Sequence, residues 1–171
     1  MRAIVAACDD WGIGLKGDLL VRNPTDMHRY VRLTSGGTVV MGRKTLQSFP
    51  GSRPLRGRRN IVVTRGELDE ALWDGLDAGT TLEVVHSPQE ALAAVEDTDP
   101  DRVWLIGGAN LYEQLIDDCS EAVVTFNHCV VPADTFFPNL DEREGWHVDK
   151  REMGGTTADG IPFEYVTYRH E

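Results

Sequence analysis

Residues 38–45 read Thr38-Val39-Val40-Met41-Gly42-Arg43-Lys44-Thr45. Four β-favouring or apolar residues run together, a glycine follows, and two cations and a hydroxyl open the next segment. An unbroken run of this kind is a strand covered on both faces, and the change at Gly42 predicts a turn into a short helix through Leu46. The alternation repeats outward. Arg2 to Ala7, Asn60 to Thr64, Leu82 to Val85 and Val103 to Ile106 read as further strands. Asn23-Pro24-Thr25-Asp26 is a helix start: Asn23 suits the cap, Pro24 has no N–H to waste at the first position, and Asp26 suits the positive end of the helix dipole. Met27, Tyr30, Val31 and Thr34 then form the stripe that faces the core, and Gly36-Gly37 ends the helix. Ser87-Pro88-Gln89-Glu90 is a capping box before a helix through Val95, and the Gly107-Gly108 turn leads to another at Leu111 to Ile116. This order predicts an α/β fold with about eight strands in a mostly parallel sheet and about four helices on its two faces. Ala122 to Phe126, Trp146 to Glu152 and Phe163 to Arg169 complete it, the last two as a C-terminal antiparallel hairpin joined by a Gly/Thr-rich stretch. No repeat or linker divides residues 1–171, so a single domain is expected.

Charge narrows the function. With 17 basic against 28 acidic residues the formal net charge is −11, which disfavours general nucleic-acid binding. No stretch is long and apolar enough to span a membrane. Cys8, Cys119 and Cys129 are an odd number without a C-x-x-C pair, which predicts reduced thiols in the cytoplasm. The charge is also unevenly spread. Residues 43–65 hold seven basic residues and no acid, and residues 66–101 hold eleven acids and no Arg or Lys. Such an island is either a solvated loop paired with the acidic segment or a site for an anionic small molecule.

Open parallel sheets bind ligands beyond the carboxyl ends of their strands, which directs attention to the segments after Ala7, Met41, Thr64 and Ile106. Three of them carry phosphate-compatible features: Gly42-Arg43-Lys44-Thr45, Thr64-Arg65 and Gly107-Gly108. Gly37 to Thr45 is one residue from a Walker A pattern, but the residues that should form its loop are themselves the strand, which argues against a kinase. A Rossmann G-x-G-x-x-G is absent. Asp26 is the best acid/base candidate, with Leu20, Val21 and Met27 around it, although a carboxylate at a helix start needs no further role. The five histidines show no ligand spacing, and no metal is expected.

Taken in order, several motifs resemble the dihydrofolate reductase family over nearly the whole chain. They are Ile4-Val5-Ala6-Ala7, Ile13-Gly14, Pro24-Thr25-Asp26-Met27, Val40 to Thr45, Ser48-Phe49, Arg53-Pro54-Leu55, Gly57 to Thr64, Ile106-Gly107-Gly108, Leu111-Tyr112 and Asp134 to Pro138. The resemblance implies hydride transfer from NADPH to C6 of 7,8-dihydrofolate with protonation of N5. It implies that Asp26, with Thr125 beside it, holds the pterin and promotes protonation, and that Arg58 takes the glutamate α-carboxylate. Val5, Ala6, Ala7, Leu19, Val21, Met27, Tyr30, Phe49 and Leu55 would line the substrate cleft. The cofactor face would be Ala7, Ile13, Gly14, Gly42, Arg43, Lys44, Thr45 and Ser48, with Thr64, Arg65, Ile106, Gly107, Gly108, Ala109, Asn110, Leu111 and Tyr112. The glycine pair carries a cis peptide in the family. Expected partners are dihydrofolate and antifolate small molecules, with no nucleic acid and no membrane, for a monomer.

Three departures stand out. Leu20-Val21 replaces the family's Pro-Trp pair, residues 66–80 look longer and more acidic than usual, and Gly154 to Ile161 is variable. The loop from Cys8 to Asn23 is expected to close over the nicotinamide, with Gly12, Gly14 and Gly17 giving it freedom. Two other readings compete. A pyrimidine reductase of the same fold, acting in riboflavin synthesis, would share the cofactor face without needing Asp26 and Arg58, and a non-catalytic folate or nucleotide binder would lack turnover.

Overall fold

Alternate residues of the central strands point to opposite faces of one sheet, and each face buries its own apolar set. The computed structural model describes all 171 residues. In chain order the elements are β1 (Arg2–Cys8), β2 (Gly12–Gly14), α1 (Pro24–Thr34), β3 (Thr38–Gly42), α2 (Arg43–Ser48), β4 (Arg59–Val63) and β5 (Thr81–Val85). They continue with α3 (Pro88–Ala94), β6 (Val103–Gly107), α4 (Ala109–Leu115), β7 (Glu121–Asn127), β8 (Thr135–Phe136), β9 (Trp146–Thr156) and β10 (Pro162–His170). The main sheet has the order β5-β4-β3-β6-β1-β7-β10-β9. All its pairings are parallel except those of β10, which is antiparallel to both β7 and β9. Ile4, Val39, Met41, Val62, Trp104 and Val123 meet Leu46 of α2 on one face, with Tyr30 and Leu33 of α1 packed against them. Ala3, Val40, Ile61, Leu105 and Val124 meet Ala91 of α3 and Leu111, Tyr112 and Leu115 of α4 on the other. The period of two thus sorts the helices into α1 with α2 and α3 with α4.

The eight-stranded, mostly parallel sheet, the C-terminal hairpin and the four helices agree with the expected fold. Details differ. Within the segment Cys8 to Asn23, expected as a loop, Gly12–Gly14 pairs with Thr135–Phe136 as a second, two-stranded sheet. A β-carbon at Gly14 would lie 2.6 Å from Thr135 Oγ1 and one at Gly12 2.9 Å from Asp10 Oδ1, so these glycines admit close packing and do not act as hinges. Only Gly17, at φ +85°, fits the expected freedom. The segment Gly154-Gly155 belongs to β9, where the Phe163 ring covers the bare backbone. The α1 stripe is not buried as expected: Met27 and Val31 are 46% and 44% exposed, and Thr34 alone is buried. No helix is long and apolar enough to cross a membrane.

The segment before β4 is held by one side chain. Asn60 is fully buried; its Nδ2 lies 2.9–3.2 Å from the carbonyls of Leu55, Arg58 and Thr81, and its Oδ1 accepts from Leu55 N at 2.9 Å. These bonds fix the chain on both sides of Arg58. Replacing Asn60 by Leu leaves several buried backbone groups unpaired, each costing about 1–3 kcal/mol. Urea unfolding should show Asn60→Leu destabilised by roughly 3 kcal/mol, whereas a loss within about 0.5 kcal/mol would mean that the segment is held by other contacts.

Candidate active site

Helix α1 begins where its cap chemistry says it should. Asn23 is the N-cap, its Oδ1 accepting from Asp26 N at 3.2 Å, and Pro24 opens the first turn. The same Asn23 donates through Nδ2 to Asn127 Oδ1 at 3.0 Å. Thr125 donates through Oγ1 to Asp26 Oδ1 at 2.6 Å. Val123, Thr125 and Asn127 alternate along β7, so all three face α1, and two of them pin its first turn to the strand. Thr125 is buried and sits opposite Ala6 of β1 and Tyr165 of β10. The second oxygen of Asp26 forms no hydrogen bond within the protein.

Burial raises the Asp26 carboxyl above its ordinary range, while the Thr125 hydrogen bond and the charge of Arg29 pull it down, and burial dominates. On β1, Ala6 stands opposite Thr125, with Val5 half-buried and Ala7 buried on either side of it; Met27 follows Asp26 on α1 and Tyr30 comes one turn on, while Val21 is half-buried two residues before the cap and Leu19 is exposed. Phe49 and Leu55 pack beside Tyr30 against the smaller apolar cluster.

Arg58 is buried at 5% exposure and carries no carboxylate partner. Its Nε donates to Thr34 Oγ1 at 3.0 Å, its Nη1 donates to the Arg56 carbonyl at 2.7 Å, and Nη2 is buried without a partner. Thr34 in turn donates to Tyr30 O at 2.8 Å, which ties the guanidinium to the last turn of α1. A buried guanidinium nitrogen with no acceptor calls for an anionic or carbonyl oxygen from outside the chain. Thr34, read from sequence as part of an apolar stripe, is a support for this charge.

The remaining candidates gather at the ends of β3, β4 and β6. Gly42, Gly107 and Gly108 leave bare backbone there: a β-carbon at Gly42 would lie 3.8 Å from Gly108 N, and Thr45 Oγ1 stands over Gly107 and Gly108. The Gly107-Gly108 peptide is cis. Arg43 Nη1 lies 3.9 Å from where a β-carbon at Gly66 would stand, next in the chain to Arg65, and neither arginine nor Lys44 forms a salt bridge. His86, not singled out from sequence, shares a hydrogen bond of 2.9 Å with Thr64 O. The basic island therefore has two fates. Arg53 donates to the carbonyls of Ala71 and Asp74, Arg56 pairs with Asp77 and Arg59 with Glu83, as the solvated-loop reading expects, while Arg43, Lys44 and Arg65 stay unpaired.

Other members sit farther back. Ser48 Oγ donates to Thr45 O, and Asn110 accepts from Gln114 at the start of α4 beside Ala109. Ile106 and Leu111 are buried, and Ile13 is half-buried against the larger cluster near Gly14. Tyr112 is buried and donates to Ile4 O at 2.7 Å, so its ring buttresses Gly107 and its hydroxyl is already engaged.

A family model described as dihydrofolate reductase matches residues 1–170. The chain is 31% identical over 174 residues to dihydrofolate reductase HdrB of Haloferax volcanii, covering 98% of this chain and 82% of that one. It is 33% identical to dihydrofolate reductase of Bacillus subtilis, over 93% of this chain and 86% of the relative. Among solved structures it is similar to dihydrofolate reductase from Enterococcus faecalis complexed with NADP(H) and RAB-propyl. That match has a TM-score of 0.80 and 30% identity over 99% of this chain and 95% of that one.

The raised Asp26 carboxyl has a consequence for stability. A carboxyl whose folded pKa lies above its unfolded value contributes stability below the unfolded pKa, and this is lost as pH rises through the folded pKa. Thermal unfolding of Asp26→Asn should therefore occur at a higher midpoint than wild type at neutral pH, with the gap closing in acid. A variant less stable than wild type at neutral pH would contradict the burial argument.

Proposed function

The chain belongs to the dihydrofolate reductase family, and from that premise we propose how its residues carry the reaction. It reduces 7,8-dihydrofolate to 5,6,7,8-tetrahydrofolate, the carrier of one-carbon units, with NADPH. NADPH, when bound, supplies the hydride that reaches C6. The residues fit it: the bare floor of Gly42, Gly107 and Gly108 admits close approach, and Arg43, Lys44 and Arg65 offer unpaired charge for phosphate. Thr64 and Arg65 would hold the 2′-phosphate.

Asp26 is the catalytic residue in this reading. Thr125 occupies one carboxyl oxygen and leaves the other free for the pterin N3 and 2-amino group. The raised carboxyl keeps its proton to higher pH than an ordinary carboxylate does, and its interaction with the pterin promotes protonation at N5. The pterin lies against Val5, Ala6 and Ala7, and the remainder of the substrate runs past Met27, Tyr30, Phe49 and Leu55 to Arg58. There the partnerless Nη2 donates to the glutamate α-carboxylate. Val21, in place of an aromatic residue, closes less of the pterin end and gives no ring N–H, which alters fit to compact antifolates more than the chemistry.

The observation that carries this reading is the half-buried Asp26 carboxyl fixed by Thr125, together with a buried guanidinium lacking an acceptor. An odd number of cysteines without a C-x-x-C pair supports the cytoplasm.

Steady-state assays with the purified chain test these roles. Asp26→Asn should lose at least about a hundredfold in turnover at neutral pH while binding NADPH as wild type does. Arg58→Leu should weaken dihydrofolate about 10- to 100-fold with little change in NADPH affinity, as expected for one lost charge-assisted carboxylate contact. NADPH should be preferred over NADH, and Arg65→Gln should narrow that preference. Loss of NADPH with retention of folate in Arg58→Leu would mean that the two sites are exchanged.

A further inference from the structure

Arg29 lies on α1 three residues after Asp26, the spacing that makes side chains neighbours on a helix. Its guanidinium carbon stands 3.9 Å above the centre of the Tyr165 ring. Tyr165, on β10, is the register partner of Thr125, the residue that donates to Asp26. Arg29 takes part in no salt bridge, so its charge is held in place by an aromatic face and is not neutralised by a carboxylate. We propose that Arg29, braced on Tyr165, is a positioning residue that sets the pH at which Asp26 gives up its proton and hence the pH range of reduction. This rests on Asp26 being the carboxyl that serves the pterin.

The surroundings of the carboxyl support the assignment. From β7 comes the uncharged Thr125 hydroxyl, from β1 the apolar Ala6, and from β10 Tyr165 itself. Arg32 of α1 and Glu152 of β9 act on Tyr165 from the open side, where they line one cleft with Arg29 and His28. Arg29 is thus the cation that bears on Asp26, opposing the effect of burial. Its removal leaves burial opposed by the Thr125 hydrogen bond alone, and the carboxyl then keeps its proton to higher pH. Because reduction slows as Asp26 loses its proton, the slowing moves to higher pH as well. Arg29 is half-exposed, so replacing it does not empty the core.

The test is single-turnover hydride transfer with saturating NADPH and dihydrofolate, followed across pH in wild type, Arg29→Leu, Arg29→Lys, Tyr165→Phe and Tyr165→Leu. Arg29→Leu should match wild type on the acid plateau and run roughly two- to fivefold faster on the alkaline limb. Arg29→Lys, which keeps the charge, and Tyr165→Phe, which keeps the ring, should follow wild type. Tyr165→Leu should move in the direction of Arg29→Leu by less. An unchanged alkaline limb in both Arg29→Leu and Tyr165→Leu, with Asp26→Asn still slow, would overturn the role of Arg29 alone. An Asp26→Asn protein as fast as wild type would overturn both this inference and the reading on which it rests.

Discussion

Two side-chain hydrogen bonds hold the first turn of α1 against β7, Thr125 to Asp26 and Asn23 to Asn127, and the arrangement of the cleft depends on them. They follow from two periodicities that meet. A strand turns every second side chain the same way, which places Thr125 and Asn127 in line beyond Val123. A capped helix fixes its third residue in the first turn, which places Asp26 over that line. The cap residue serves both roles, accepting from the helix backbone and donating to the strand. Tyr30 and Thr34 then take their places one and two turns farther along the helix, and Arg58 docks on Thr34, so the distance between the carboxyl and the guanidinium follows the length of α1. A folate placed between them is measured by one rigid element.

The charge distribution has a comparable logic. A net charge of −11 repels anionic ligands at long range, so cations that serve such ligands must act locally. Within the basic island, Arg56 and Arg59 are spent on carboxylates of the acidic segment that follows, and Arg53 on its backbone. Those left unpaired are the ones at strand ends beside bare glycine backbone, and the buried Arg58. The selection is therefore one of partners as much as of position. Arg29, held by an aromatic ring, belongs with the unpaired set and acts on Asp26 instead of on a ligand phosphate.

Much of this was legible in the residues. The N-cap signature at Asn23, the apolar run at Thr38 to Met41 and the capping box at Ser87 are local in origin, and each element stands where its own residues put it. Local patterns could not show what depends on distant partners. The strand at Gly12–Gly14 exists because Thr135-Phe136 pairs with it, and its glycines look like hinges until the close approach of Thr135 is seen. Met27 and Val31 fit a core stripe in spacing, but no element of the fold covers them and they remain exposed. Arg59 and Arg65 are equivalent in a charge count, and only the fold gives one a carboxylate. Asn127, Tyr165 and His86 carried no signal of their own because their roles come from β7, β10 and β5 reaching the site from afar.

Hydride delivery to dihydrofolate is tied, in this chain, to the proton held at Asp26. Its most direct test is the wild-type single-turnover rate as a function of pH, measured with NADPH carrying hydrogen or deuterium at the transferred position and with tetrahydrofolate identified as product. Tetrahydrofolate should form with a primary isotope effect, at a rate that falls as pH rises and Asp26 loses its proton. A rate independent of pH, or cofactor oxidation without tetrahydrofolate, would contradict it.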